Sequence, residues 1–307
     1  MRIAVTGKVG QVVASLIERA AAAGHEVIAL GRPELDLADP VSIGRALNAA
    51  APDAIVSAAA YTAVDRAESE SDLAYAVNGR GASAVAEAAE ALGVPLVHVS
   101  TDYVFDGTLG RPYVETDPTE PTGVYGASKL AGEQAVLAAH GDNSAVLRVA
   151  WVYSPFSTNF VKTMLRLAGD RREVSVVADQ FGNPTSALNI ADGIIRVATN
   201  LVADSYPELR GIFHMTASGE ASWADFAEAI FAASAARGGP SAQVRRITTA
   251  DYPTLTTRPA NSRLDCGLIA RVHGVALPDW RQSLETVITR LHNLQRPADP
   301  AERNDDA

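Results

Sequence analysis

Short β-rich runs separated by alanine-rich helical stretches constrain the fold of this chain more than any other feature. Runs at Arg2–Thr6, Glu26–Leu30, Ala54–Ala58, Leu96–Ser100 and Ala145–Val149 carry little internal polarity. Helical patterns lie between them, around Val12–Ala23, Val41–Ala50, Ser71–Leu92 and Ser128–Ala139. Strands without polar alternation are buried on both faces, and strands joined through helices pair in parallel. Right-handed crossovers then place helices on both sides of the sheet. The expected class is α/β: a Rossmann-like doubly wound parallel sheet, which binds ligands at the carboxyl ends of its strands.

After residue 150 the alternation loosens. Val174–Asp179 and Gly211–Ala217 read as strands, and Ser222–Ala236 and Trp280–Leu294 as helices. Ser222 followed by Asp225 marks a helix start. The expected organisation is a main domain over residues 1–150, joined by parts of 174–217, and a smaller, interleaved C-terminal substrate lobe over 151–295. Residues 296–307 are rich in Pro, Asp and Ala and are expected to form a disordered tail.

Composition excludes several classes. A hydrophobic fraction of 47% over 307 residues supports a sizeable core. A formal net charge of −10 argues against nucleic acid or an anionic membrane as partner, since both want a basic surface. Only three of the 26 basic residues are lysines (Lys8, Lys129 and Lys162), so phosphate contacts fall mainly to arginine. Cys266 is the only cysteine, which leaves neither a disulfide framework nor a Cys-based zinc site. The chain opens on a strand-like run, and no apolar stretch reaches transmembrane length, so the expected location is the cytoplasm.

Gly7-Lys8-Val9-Gly10 follows the first strand and precedes a helix, where a dinucleotide site places its glycines. A third glycine would fall at position 13, which is Val13. The main domain therefore reads as NAD(P)-binding. No acidic residue ends the second strand; Leu30-Gly31-Arg32 stands there, and an arginine can pair with a 2′-phosphate. The cofactor is read as NADPH, with NADH as the alternative. Asp36 and Leu37 are placed for contact with adenine. The small residues of Ala58-Ala59-Ala60-Tyr61-Thr62 close the third strand and let a cofactor lie against backbone.

Tyr125 and Lys129 share one helix face at i and i+4. With three lysines and eight tyrosines in the chain, this spacing is not expected by accident. A cation beside a phenol favours the phenolate and lowers its pKa, which makes a proton donor usable near neutral pH. Ser100-Thr101-Asp102-Tyr103 close the fourth strand, so Thr101 or Ser100 could bond a substrate oxygen. A hydroxyl, a phenol and an ammonium around one carbonyl suit hydride transfer to a ketone. His98, inside that strand, reads as a satisfied core residue.

These stretches, with Val124–Gly132 (VYGASKLAG), Arg148–Tyr153 (RVAWVY), Asn159–Leu167 (NFVKTMLRL), Asp179–Thr185 (DQFGNPT) and Arg258–Leu264 (RPANSRL), run in order over nearly the whole chain. On them the sequence resembles the extended short-chain dehydrogenase/reductases, and within these the dTDP-4-dehydrorhamnose reductases. The resemblance implies reduction of the 4-keto group of dTDP-4-dehydro-β-L-rhamnose by NAD(P)H. It implies that Gly10, Gln11, Val12, Asp36, Leu37, Ala60, Tyr61 and Thr62 line the cofactor site with Tyr125 and Lys129, and that Thr101, Asp102 and Trp151 touch the nucleotide-sugar substrate. Arg258 could meet the diphosphate or form a structural ion pair. Some members are described as dimers bridged by magnesium through glutamates; two of those positions are Ser15 and Leu188 here, so no magnesium is expected, and a monomer or weak dimer is. The alternatives are an NAD-dependent nucleotide-sugar epimerase or dehydratase, and a non-catalytic regulatory subunit.

Overall fold

A computed structural model describes residues 1–295. The tail expected at 296–307 lies outside the described residues. The principal strands are β1 (Arg2–Thr6), β2 (Glu26–Leu30), β3 (Ala54–Ser57), β4 (Leu96–Thr101), β5 (Ser144–Val149), β6 (Glu173–Val177), β7 (Gly211–His214) and β8 (Gln243–Ile247). The principal helices are α1 (Gln11–Ala22), α2 (Pro40–Ala50), α3 (Gly81–Leu92), α4 (Val124–His140), α5 (Phe160–Asp170), α6 (Ala187–Ala203), α7 (Trp223–Ala235) and α8 (Trp280–Gln295).

Six strands form one parallel sheet in the order β7-β5-β4-β3-β1-β2. The chain winds outward in both directions from β1 and β3, so their carboxyl ends open a crevice. One face buries Val13 and Leu16 of α1 and Ile190, Ile194 and Val197 of α6. The other buries Ile43 and Leu47 of α2, Val85 of α3 and Val136 of α4. This is the doubly wound α/β sheet expected from the alternation.

A second core lies beyond β5. Phe226 and Ile230 of α7, Trp280 and Val287 of α8, and Val174 and Val176 of β6 pack together, with β8 parallel to β6. The chain enters this lobe, returns to the main sheet through α6 and β7, and leaves again. Helix α7 opens on a capping box, with Ser222 and Asp225 bonding each other's backbone amides, as their spacing predicts. No helix among the described residues is long and apolar enough to cross a membrane.

Several element boundaries differ from the sequence reading. Strand β3 stops at Ser57 because the amides of Ala58 and Ala59 turn to Thr6 Oγ1, each at 3.0 Å. The stretch Ser71–Leu92 is broken by a π-helical turn at Ala76–Arg80. There the Asn78 side-chain carboxamide accepts from the Tyr61 amide and donates to Tyr61 O and Ser128 Oγ. Strand β7 ends at His214, and the Thr216 amide bonds to Cys266 Sγ. Helix α4 starts at Val124, four residues before its expected start, and so contains Tyr125.

Candidate active site

A cavity of about 520 Å³ lies at the carboxyl ends of β1, β3, β4 and β5. Its walls include Gly10, Gln11, Val12, Ala60, Thr62, Thr101, Asp102, Tyr125, Lys129 and Trp151, brought together from the stretches singled out in the sequence.

The glycine turn forms one end. Gly7 and Gly10 have φ of +104° and +127°, backbone that L side chains rarely adopt. No side chain caps the N-terminus of α1, so its first amides are available to an anion at the cavity. Val13 packs in place of a third glycine: a Cβ added to Gly7 would stand 3.3 Å from Val13 Cγ2. Gln11 ties this turn to the far wall, donating to Val152 O at 3.2 Å and accepting from Ser154 Oγ at 3.0 Å. These features fit a dinucleotide diphosphate.

Helix α4 forms the other end, and two glycines let it lie close against the turn after β4 and the π-helical turn at Ala76–Arg80. A Cβ on Gly126 would stand 2.2 Å from Tyr103 O, and one on Gly132 2.2 Å from Asn78 O. This close approach carries Tyr125 and Lys129 into the cavity wall. Lys129 is buried and its Nζ donates to Val99 O at 2.8 Å. Burial pushes the ammonium down to about 8, with the charge of Glu133 acting the other way. The Tyr125 phenol is raised above its ordinary value, first by burial and then by Asp102 and Tyr103, while a hydrogen bond with Thr101 opposes the rise. The expected lowering by Lys129 is not what the structure shows, because burial of the phenol dominates. Tyr125 therefore holds its proton at neutral pH, as a proton donor must.

Thr101 Oγ1 donates to Asp102 Oδ1 at 2.9 Å. Asp102 is buried, and its Oδ2 has no partner among the described residues. Burial raises this carboxyl from an ordinary 3.8 to about 6. A raised carboxyl stabilises the native state fully below its unfolded pKa, and that contribution is lost as pH rises through the folded value. Asp102→Asn is thus expected to be more stable than the parent by ~3 kcal/mol at most above pH 7 and about equal to it near pH 4. Thermal melts at the two pH values check this; a gap that ignores pH would refute it.

Trp151 holds a left-handed backbone at φ +46°, a strained state for an aromatic residue. Its ring stacks on Trp223 at 3.5 Å and 4°, and Nε1 donates to Ser262 Oγ at 3.0 Å. One ring face is therefore covered by the lobe, and only the remainder of the expected aromatic wall faces the cavity.

Other expectations fall elsewhere. Arg32 is exposed and outside the cavity wall. Asp36 accepts from the Ala38 amide within its own turn, and Leu37 is buried under α3. The Tyr61 hydroxyl donates to Glu70 at 2.7 Å and points away from the wall. Arg258 takes the structural alternative, pairing with Asp65 at 2.6 Å. His98 is buried, but neither ring nitrogen has a partner, so the expectation of a satisfied residue fails; burial holds it well below its ordinary value and neutral. Ser157 and Thr158 join the wall unannounced, because a loop after β5 folds back over the cavity and no motif marks it.

Comparison with known proteins agrees with this geometry. Residues 1–293 match the model of the RmlD substrate binding domain family. A dTDP-4-dehydrorhamnose reductase of Sinorhizobium fredii is 50% identical, with 95% of this chain and 98% of that one covered. The chain belongs to the dTDP-4-dehydrorhamnose reductase family. A solved member from Clostridium acetobutylicum aligns with TM-score 0.88 and 34% identity, covering 95% of this chain and 99% of that one. Another, from Bacillus anthracis in complex with NADP, gives TM-score 0.87 and 34% identity over 94% and 99%. Ser15 Oγ donates to Gln11 O at 2.8 Å and Leu188 lies in the lobe core.

Proposed function

We propose that this protein reduces the 4-keto group of dTDP-4-dehydro-β-L-rhamnose with NADPH, giving dTDP-L-rhamnose. The observation that carries this is the opening of an uncapped α1 N-terminus and the Thr101–Tyr125–Lys129 constellation into one cavity. When bound, the dihydronicotinamide supplies the hydride. Tyr125 donates its phenolic proton to the ketone oxygen, so that the carbonyl becomes an alcohol. Thr101 holds that oxygen by turning its hydroxyl proton to it from Asp102. Lys129 sets a positive charge beside the developing negative charge. The lobe supplies Trp151, with Trp223 behind it, to exclude water from one side.

NADPH is the preferred cofactor in this reading, and Arg32 the residue that selects it. Its guanidinium is exposed and makes no salt bridge or side-chain hydrogen bond among the described residues, so it can reach a 2′-phosphate. The relative from Bacillus anthracis was solved with NADP. Arg32→Ala is expected to lower the NADPH/NADH ratio of kcat/KM roughly tenfold, the worth of one charge-assisted bond. An unchanged ratio would discard Arg32 as selector. The reading gives no role to a glutamate-held magnesium, since Ser15 and Leu188 are not cation ligands.

The assignment is tested by NADPH oxidation with dTDP-4-dehydrorhamnose against other 4-keto sugar nucleotides. Turnover with the first, and little with the others, is expected. Tightly held NAD in the purified protein with no NADPH oxidation would favour an epimerase or dehydratase.

A further inference from the structure

Three successive turns of α4 engage three consecutive residues of β4. Tyr125 lines the cavity with Thr101, Lys129 donates to Val99 O, and Glu133 accepts from the Ser100 hydroxyl. Glu133 and its partner Arg148 are 1% and 2% exposed. Arg148 donates from Nη2 to Oε2 at 2.7 Å and from Nε to Oε1 at 3.0 Å. Ser100 and Arg148 are direct neighbours across β4 and β5, so one carboxylate clamps both strands to the helix. A buried ion pair is a poor stabiliser, because desolvation of two charges offsets their attraction. Its place one helical turn from Lys129 supplies another role.

We infer that Glu133 with Arg148 is a positioning element of the site. It locks the carboxyl end of β4 to α4 through Ser100 and sets a carboxylate one helical turn from Lys129. This rests on Tyr125 and Lys129 being the working pair. The titratable groups facing Lys129 are Glu133 and Tyr125 on its own helix, His98 on β4, Asp102 just after it, and Arg148 on β5. His98 is neutral and Arg148 is a cation, and Glu133 is the anion whose charge offsets the burial of Lys129. Neutralising it favours the free amine, and the Lys129 pKa falls.

The chain has three lysines, so the full-length protein labelled at lysine Cε gives three side-chain signals, assigned with Lys8→Arg and Lys162→Arg. Glu133→Gln is expected to move the Lys129 titration down by about one pH unit or more. The basic limb of kcat/KM should move with it, and Glu133→Asp should restore both. Because Glu133→Gln leaves Arg148 unpaired and can unfold, the double variant Glu133→Leu/Arg148→Met replaces the pair with apolar groups of similar volume. It is expected to fold, to titrate Lys129 lower, and to lose roughly ten- to a hundredfold in kcat with KM for NADPH within about twofold. Ser100→Ala leaves the ion pair intact and should lose kcat in the same manner. A folded double variant with parental Lys129 titration and kcat overturns the proposal, as does Ser100→Ala with parental kcat. The lysine titration is read without substrate, so failure of the reductase assignment would leave that readout standing.

Discussion

Tyr125→Phe is expected to lower kcat by roughly 10²- to 10⁴-fold while NADPH binding and folding are retained. The substitution removes one oxygen from a half-buried ring on the cavity wall. Tyr103 still meets the ring edge-on at 5.6 Å, and Lys129 still donates to Val99 O. What disappears is the phenol that lines the cavity with Thr101 and Lys129. Burial raises its pKa, so the wild-type group is protonated throughout the working range and the loss is one of proton donation. Steady-state kinetics and NADPH titration of the same preparation check this. Turnover near wild type would discard the mechanism, because no other cavity group stands in that place.

Arg148→Met should cost ~3–5 kcal/mol in global stability, read from urea unfolding. Among the described residues the arginine is the only cation within salt-bridge distance of a carboxylate that is 1% exposed, and its removal leaves Glu133 ionised in the core with one hydroxyl donor. By contrast Arg66 pairs with Glu70 at the surface, where solvent screens the charges and the same loss costs little. A cost below ~1 kcal/mol for Arg148→Met would mean that water reaches Glu133 when its partner goes.

The parts of the site that the sequence made legible are those fixed by local geometry. Glycines at 7 and 10 need positive φ, and a Tyr four residues before a Lys shares its helix face wherever the helix lies. Alternation of strands and helices likewise dictated a parallel doubly wound sheet. The π turn at Asn78 was hidden, since a helical pattern around it is unbroken and only Tyr61 and Ser128, distant in sequence, bond its side-chain carboxamide. Arg258 could be read either way, because its partner Asp65 lies 193 residues off.

Local order and the residue types of the constellation were therefore determined by sequence alone: the turn, the helix face, the strand end and the chemistry they permit. Tertiary structure decided their charges. Tyr125 is raised rather than lowered, Lys129 faces a carbonyl, and Asp102 sits near 6 because burial outweighs the neighbours that spacing suggested. Burial is a sum over contacts from the whole chain, and no spacing of two residues contains it.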